Sequence, residues 1–233
     1  MIRLKVRDIE VGACIGDAPK FRIYHGTKED GQSVILKVAK TFEDGRALTE
    51  EAAKFTILQS FEYSVAMLEE RQGSGNSHYD WLFAKLYLSF MEPSQGNRRI
   101  NVYTMPEISL DELVPLTKLC NTVEIDARTS VWILGRLFKF YGFFELLATD
   151  DGDSFVRYPV FSPDDYLIGP EKHRLIYYNF SDEMPAVMAN DFVRAITRFM
   201  VEWTEFGDNS LALEYFHFLE EFLVCGCVSF EKT

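Results

Sequence analysis

The side chains best placed to do chemistry in this sequence are one lysine, a pair of glutamates, an aspartate and an asparagine. Asp165 lies early in Phe161–Ser181, FSPDDYLIGPEKHRLIYYNFS, and Asn179 lies near its end. The segment reads as a turn, a short strand, a charged turn, a second strand and a polar exit, which puts Asp165 and Asn179 at the two ends of a strand pair. A carboxylate and an amide present hard oxygen atoms, the ligands that Mg²⁺ takes while keeping several of its waters. Lys37 sits between Leu36 and Val38 in the strand-forming run Ser33-Val34-Ile35-Leu36-Lys37-Val38. Glu50 and Glu51 stand near the start of a second, helical stretch. Each has a plainer reading. A strand lysine ordinarily faces solvent, the glutamates suit the positive end of a helix dipole, and Asp165 and Asn179 are common turn residues.

The elements that must position these groups follow from pattern. Glu10–Ile15, Phe21–Thr27 and Ser33–Val38 are short runs separated by Gly16-Asp17-Ala18-Pro19 and by the hairpin signal Asp30-Gly31. Leu48–Arg71 contains no Pro or Gly and is rich in Ala, Glu, Leu and Met, which predicts a helix capped by Thr49 with Glu50 and Glu51 in its first turn. Ala84–Phe90 and Ile100–Tyr103 complete a five-stranded sheet after the loop at Gly73–Ser77. Met105-Pro106-Glu107 then leads into a helical half. Ser109-Leu110-Asp111-Glu112 reads as a helix start, and Thr129–Thr149 is apolar around most of its circumference, as a buried helix is. Asn190–Phe206 and Leu211–Val224 are two more helices.

This order resembles the protein-kinase fold over residues 10–224, and more closely its divergent bacterial forms. Ser162-Pro163-Asp164-Asp165-Tyr166-Leu167-Ile168 is similar to the S-P-x-N-hydrophobic-L-I form of the catalytic loop, and Asn179-Phe180-Ser181 stands where Asp-Phe-Gly would be. The resemblance implies an α+β, two-lobed architecture: residues 1–105 a small lobe with an antiparallel sheet, residues 106–233 a mainly helical, shortened large lobe. It puts Lys37 on the lysine that holds nucleotide phosphates, and Glu51 on its helix partner, with Glu50 as the alternative. An alignment on Ile57-Leu58 would instead put Lys54 there. It puts Gly12 and Gly16 in the phosphate loop, where Asp17-Ala18-Pro19-Lys20 replaces the later glycine and Pro19 removes an N–H donor. Asp165 and Asn179 fall on the two metal ligands with their identities exchanged, and the general-base position falls on Val160, which cannot accept a proton. The implied function is that of a pseudokinase: a regulatory or protein-interaction module with at most weak binding of ATP and Mg²⁺. The alternatives are an atypical phospho- or nucleotidyl-transferase using Asp165 and Asn179, and an unrelated α+β binding module. The short connection from Ser181 to Asn190 leaves little room for a peptide-substrate platform.

Composition narrows the remaining classes. With 233 residues, 47% of them hydrophobic and 15% aromatic, the chain can build a large core. A formal net charge of −12 argues against a general nucleic-acid binder, which needs a basic face for phosphates; that the partner is another protein is what the resemblance to a pseudokinase implies. No run approaches the roughly 20 apolar residues of a membrane span or the core of a signal peptide, so a cytoplasmic protein without membrane contact is expected. Cys14, Cys120, Cys225 and Cys227 form no Cys-x-x-Cys pair. His25, His78, His173 and His217 have no metal-ligand spacing, and His173 reads as an exposed turn residue.

Overall fold

The computed structural model describes residues 4–72, 82–105, 108–123, 125, 127–148 and 161–180. They form a mixed α+β structure with two antiparallel sheets. Six strands make the larger: β1 (Leu4–Val6), β2 (Ile9–Asp17), β3 (Phe21–Lys28), β4 (Ser33–Ala39), β5 (Lys85–Glu92) and β6 (Arg98–Thr104), in spatial order β1-β2-β3-β4-β6-β5. The strand β1 adds an edge to the five expected strands. Its signal is the alternation of Leu4 and Val6, which pairs with Ile9–Val11 across a tight turn in which Arg7 has a left-handed φ of 54°.

Between β4 and β5 runs a long helix, α1 (Gly45–Gln72). It starts at Gly45 rather than Leu48 because Thr41 and Asp44 cap it reciprocally. The Asp44 carboxylate accepts from the Thr41 N–H at 3.2 Å, and the Thr41 hydroxyl accepts from the Asp44 N–H at 3.1 Å. Thr49 is therefore no cap. It lies a turn inside, with its hydroxyl donating to the Gly45 carbonyl at 3.0 Å. Glu50 and Glu51 likewise fall in the second turn, beyond the dipole effect expected of them.

The second sheet is short: β7 (Val114–Pro115), β8 (Tyr166–Gly169) and β9 (Arg174–Tyr177). Two helices precede β8: α2 (Leu116–Thr122) and α3 (Ala127–Ala148). Ser109 does cap a turn, its hydroxyl accepting from the Asp111 N–H, but that turn is a single 3₁₀ turn ending at Glu112 rather than an α-helix. The described residues beyond Met105 thus divide between two α-helices, a three-stranded sheet and 3₁₀ turns, and are not mainly helical. The expected helices at 190–206 and 211–224, Pro106 and Glu107, the Gly73–Ser77 loop and Val160 lie outside the described residues. No helix among those described is long and apolar enough to cross a membrane.

The main core joins the inner face of the large sheet to α1, α3 and the small sheet. Phe83 is the junction. It makes a parallel bridge to Tyr177 of β9 and its ring meets Phe140 and Phe143 of α3 at centroid distances of 5.3 and 4.9 Å. Backbone bonds on either side, Ala84 N–H to Tyr177 O and Tyr177 N–H to Leu82 O, tie the two sheets together. A second apolar cluster, including Ile9, Leu36, Phe90 and Val102, lies on the sheet's outer face.

Candidate functional site

Strand parity decides which side chains reach the interior. On β4, Ile35, Lys37 and Ala39 share the inner face, and the β4–β6 register sets Lys37 beside Asn101 and Ile35 beside Tyr103. Lys37 is thus an inward lysine, and its side chain is fully buried. The cost of burying an ammonium is met by direct partners. Its Nζ donates to Glu51 Oε1 at 2.5 Å and to Asn179 Oδ1 at 2.8 Å. The rings of Phe21, Tyr103 and Tyr178 surround it, with centroids 5.1, 5.3 and 5.5 Å from Nζ.

Glu51 is the helix partner, and the alternatives fall away on position. Glu50 is exposed and pairs with Arg46 at 2.8 Å, while the Lys54 ammonium lies over the Phe180 ring at 5.5 Å. Glu51 is 4% exposed, and its carboxylate accepts three bonds. Besides Lys37, Oε1 takes the Phe180 N–H at 3.2 Å and Oε2 takes the Tyr103 hydroxyl at 2.8 Å. The chain continues outward: Asn101 Nδ2 donates to Tyr103 Oη at 3.1 Å and to the Leu48 carbonyl of α1 at 2.7 Å, and the Ser89 hydroxyl donates to Asn101 Oδ1 at 2.6 Å.

On the other side of Lys37, Asn179 Nδ2 donates to Asp165 Oδ1 at 2.6 Å. Asp165 is buried at the end of the 3₁₀ turn Pro163–Asp165, which Ser162 caps, and its carbonyl receives the Tyr178 N–H at 3.0 Å. Asn179 is held in place by its neighbours. Tyr178 packs over Lys37, and the Phe180 ring stands edge-on to Phe55 and Tyr177 at 5.2 and 5.0 Å. The structure therefore brings four sequence candidates, Lys37, Glu51, Asp165 and Asn179, into one hydrogen-bonded chain that crosses from the large sheet to the small one.

Gly12 and Gly16 do not join it. Both lie within β2, next to the register shifts between Val11 and Gly16, and pack against β3. A Cβ would meet the His25 carbonyl at 3.1 Å from Gly12 and the Ile23 side chain at 3.2 Å from Gly16. These glycines serve a close strand approach, and neither has the left-handed backbone found at Gly31 and Gly96.

Sequence reasoning missed Tyr103, Asn101, Tyr178 and Phe21 as members of the site. A polar Asn101 inside the apolar run Ile100–Tyr103 was the available signal, since such a residue in a central strand needs an internal partner.

The electrostatics follow from burial. Desolvation pulls the Lys37 ammonium below the usual lysine range, opposed by the Glu51 and Asp165 carboxylates. It pushes the hydroxyls of Tyr103, Tyr166 and Tyr178 well up, helped by Glu51 at Tyr103 and by Asp165 at the other two. A phenol whose folded pKa exceeds its unfolded value of about 10 contributes stability below that value and loses it as pH rises further. Lys37 has the opposite sign and offsets part of this. We expect these three of the 11 tyrosines to stay protonated until the protein unfolds. Phenolate absorbance followed beside circular dichroism in an alkaline titration would show a late component coincident with unfolding; smooth titration of all tyrosines in the folded state would contradict the buried network.

As arranged, the pair offers a metal ion little. The one oxygen of the Asn179 amide accepts from Lys37, and its nitrogen is turned to Asp165. Among the described residues no three Asp, Glu, His or Cys side chains converge to hold a metal. Lys37 Nζ is itself fully buried, with Glu51 and Asn179 on two of its three N–H groups. No protein-family model matches this chain, and no curated protein is similar to it.

Proposed function

We propose that this chain is a catalytically silent, kinase-like protein in which the residues of a former nucleotide site hold two lobes together, and that it works through contacts with another protein. The observation that carries this reading is the state of Lys37: fully buried, with Glu51, Asn179 and three aromatic rings around its ammonium. A lysine that serves phosphates must offer an N–H toward an open cleft. Here the ammonium is buried, two of its N–H groups end on Glu51 and Asn179, and aromatic rings stand around it. The same contacts weigh against a transferase that uses Asp165 and Asn179, because each spends part of its hydrogen-bonding capacity on the other. The order of strands and helix along the chain, with Lys37 and Glu51 paired between β4 and α1, favours the kinase-like reading over an unrelated α+β module.

The test is nucleotide binding and turnover in parallel. A ligand present at 100 times its Kd stabilises a protein by about 2.7 kcal/mol, which is roughly 5–10 °C in Tm at this chain length. We expect millimolar ATP with Mg²⁺ to raise Tm no more than pyrophosphate with Mg²⁺ does, and radiolabelled ATP with Mg²⁺ or Mn²⁺ to give no label transfer to the protein or a generic acceptor. Label transfer that disappears in Asp165→Ala would reject the reading and favour a transferase.

A further inference from the structure

The outer face of the large sheet carries a group of cations that the buried network does not use. The β3–β4 register pairs Arg22 with Val38 and Phe21 with Ala39, so the next pair sets Lys20 beside Lys40, where the Lys40 N–H also bonds the Lys20 carbonyl at 3.0 Å. The β4–β6 register pairs Val38 with Ile100, and Arg98, two residues before Ile100, lines the same cavity as Lys40. Arg22, Lys40 and Arg98 thus gather around Val38, with Lys20 next to Lys40. Like charges gathered on neighbouring strands repel, and this group stands in a chain of net charge −12.

Little on the protein neutralises it. Asp17 pairs with Lys40 at 2.6 Å and more loosely with Arg22 at 3.9 Å. Glu92 lies across from Arg98 on β5, but its carboxylate caps the following turn by accepting from Ser94 N–H and Oγ. Among the described residues no carboxylate comes within ion-pair distance of Arg98. Between these side chains is an open cavity of about 150 Å³ lined by Arg22, Tyr24, Val38, Ala39, Lys40 and Arg98. Arg22 and Arg98 flank β4 on either side, roughly 10 Å apart at the backbone, so two long side chains can close on one anion over Val38.

We propose that this cavity binds a phosphoryl dianion, held between the Arg22 and Arg98 guanidiniums with Lys40 beside them. The lining cations and Asp17 sum to +2, which a phosphate monoester balances and a single carboxylate does not. Planar guanidinium forks also match phosphate oxygens in pairs. The group can come from a free phosphate ester or from a phosphorylated side chain of a protein. This inference does not depend on the reading of the Lys37 network.

The test is calorimetric titration of the whole chain at low ionic strength with O-phosphoserine, with pyrophosphate and with a phosphoserine peptide beside its unmodified form. Saturable binding of the phosphorylated probes is expected, weakened roughly tenfold by Arg22→Gln or Arg98→Gln, the scale of one lost charge-assisted hydrogen bond. Arg98→Gln removes one of several gathered positive charges, so its fold, followed by circular dichroism, should be intact and its Tm no lower. Tighter binding of the phosphopeptide than of free O-phosphoserine assigns the group to a protein partner; equal binding assigns it to a small ester. The proposal fails if no probe saturates, if acetate at matched ionic strength gives the same heat, or if the double variant Arg22→Gln/Arg98→Gln binds as the parent does.

Discussion

Replacing Lys37 by methionine should cost about 3–5 kcal/mol of folding stability, the range for removing one partner of a buried ion pair. The substitution preserves much of the side-chain volume, so cavity formation is a small part of the effect. What it leaves is a Glu51 carboxylate, 4% exposed, with only the Tyr103 hydroxyl and the Phe180 N–H as donors, and an Asn179 oxygen with its Lys37 donor gone. Glu51→Leu should be destabilising for the mirror-image reason, because it strands the ammonium. The double variant Lys37→Met/Glu51→Leu removes both charges, and buried ion pairs are commonly replaced by apolar residues at little cost. It will not return fully to the parent, since the Phe180 N–H and the Tyr103 hydroxyl still lose an acceptor, at about 1–3 kcal/mol for each such buried group. Urea unfolding of the four proteins would therefore give a coupling energy of about 2 kcal/mol or more between the two sites. Additive losses, or a Lys37→Met protein as stable as the parent, would mean that the lysine is kept for something other than holding the fold. A nucleotide role would then return to consideration.

Most of what positions Lys37 was legible in the sequence, because the signals are local. Val34-Ile35-Leu36-Lys37-Val38 predicts a strand at any reading, Asp30-Gly31 predicts the turn before it, and period two fixes Lys37 on the face of Ile35 and Ala39. The pairing with Glu51 was legible only through the resemblance. Helix pattern alone does not separate Glu50 from Glu51, which point about 100° apart on an α-helix. The start of α1 was misread because the cap is a reciprocal pair, Thr41 with Asp44, set four residues before the apolar periodicity begins. The closing of the site was not legible at all. It depends on contacts between residues far apart in the chain, Lys37 with Asn179 and Glu51 with the Phe180 N–H, and on which of several aromatic residues fill the space beside the ammonium. The basic group on the outer face was hidden for the same reason: Arg22, Lys40 and Arg98 come around one cavity only once the strands are paired.

Placing an aspartate at position 179 tests directly whether the buried amide can give way to a second carboxylate. In the parent, Asn179 Nδ2 donates to Asp165 Oδ1 at 2.6 Å. Asn179→Asp puts two carboxylate oxygens at that distance in a buried setting, where both cannot ionise; one takes a proton, or the contact opens. The new charge gains attraction from Lys37, but that ammonium is already bonded to Glu51, so the gain is partial. A shift of two to three pKa units on the shared proton corresponds to about 3–4 kcal/mol at neutral pH. The sign of the pH dependence is fixed by the linkage. A carboxyl whose folded pKa is raised keeps its contribution below the unfolded value of about 4 and loses it as pH rises through the folded value. The variant should therefore approach the parent near pH 4 and fall furthest behind it near pH 7. Millimolar Mg²⁺ is the deciding addition. In a protein that keeps a metal site short of one ligand, Mg²⁺ would recover the lost Tm at pH 7 and would sharpen an ATP response in the variant alone. In the closed network described here, the paired carboxylates remain covered by Tyr178 and Phe180, and Mg²⁺ at the same ionic strength as added NaCl should do no more than NaCl does.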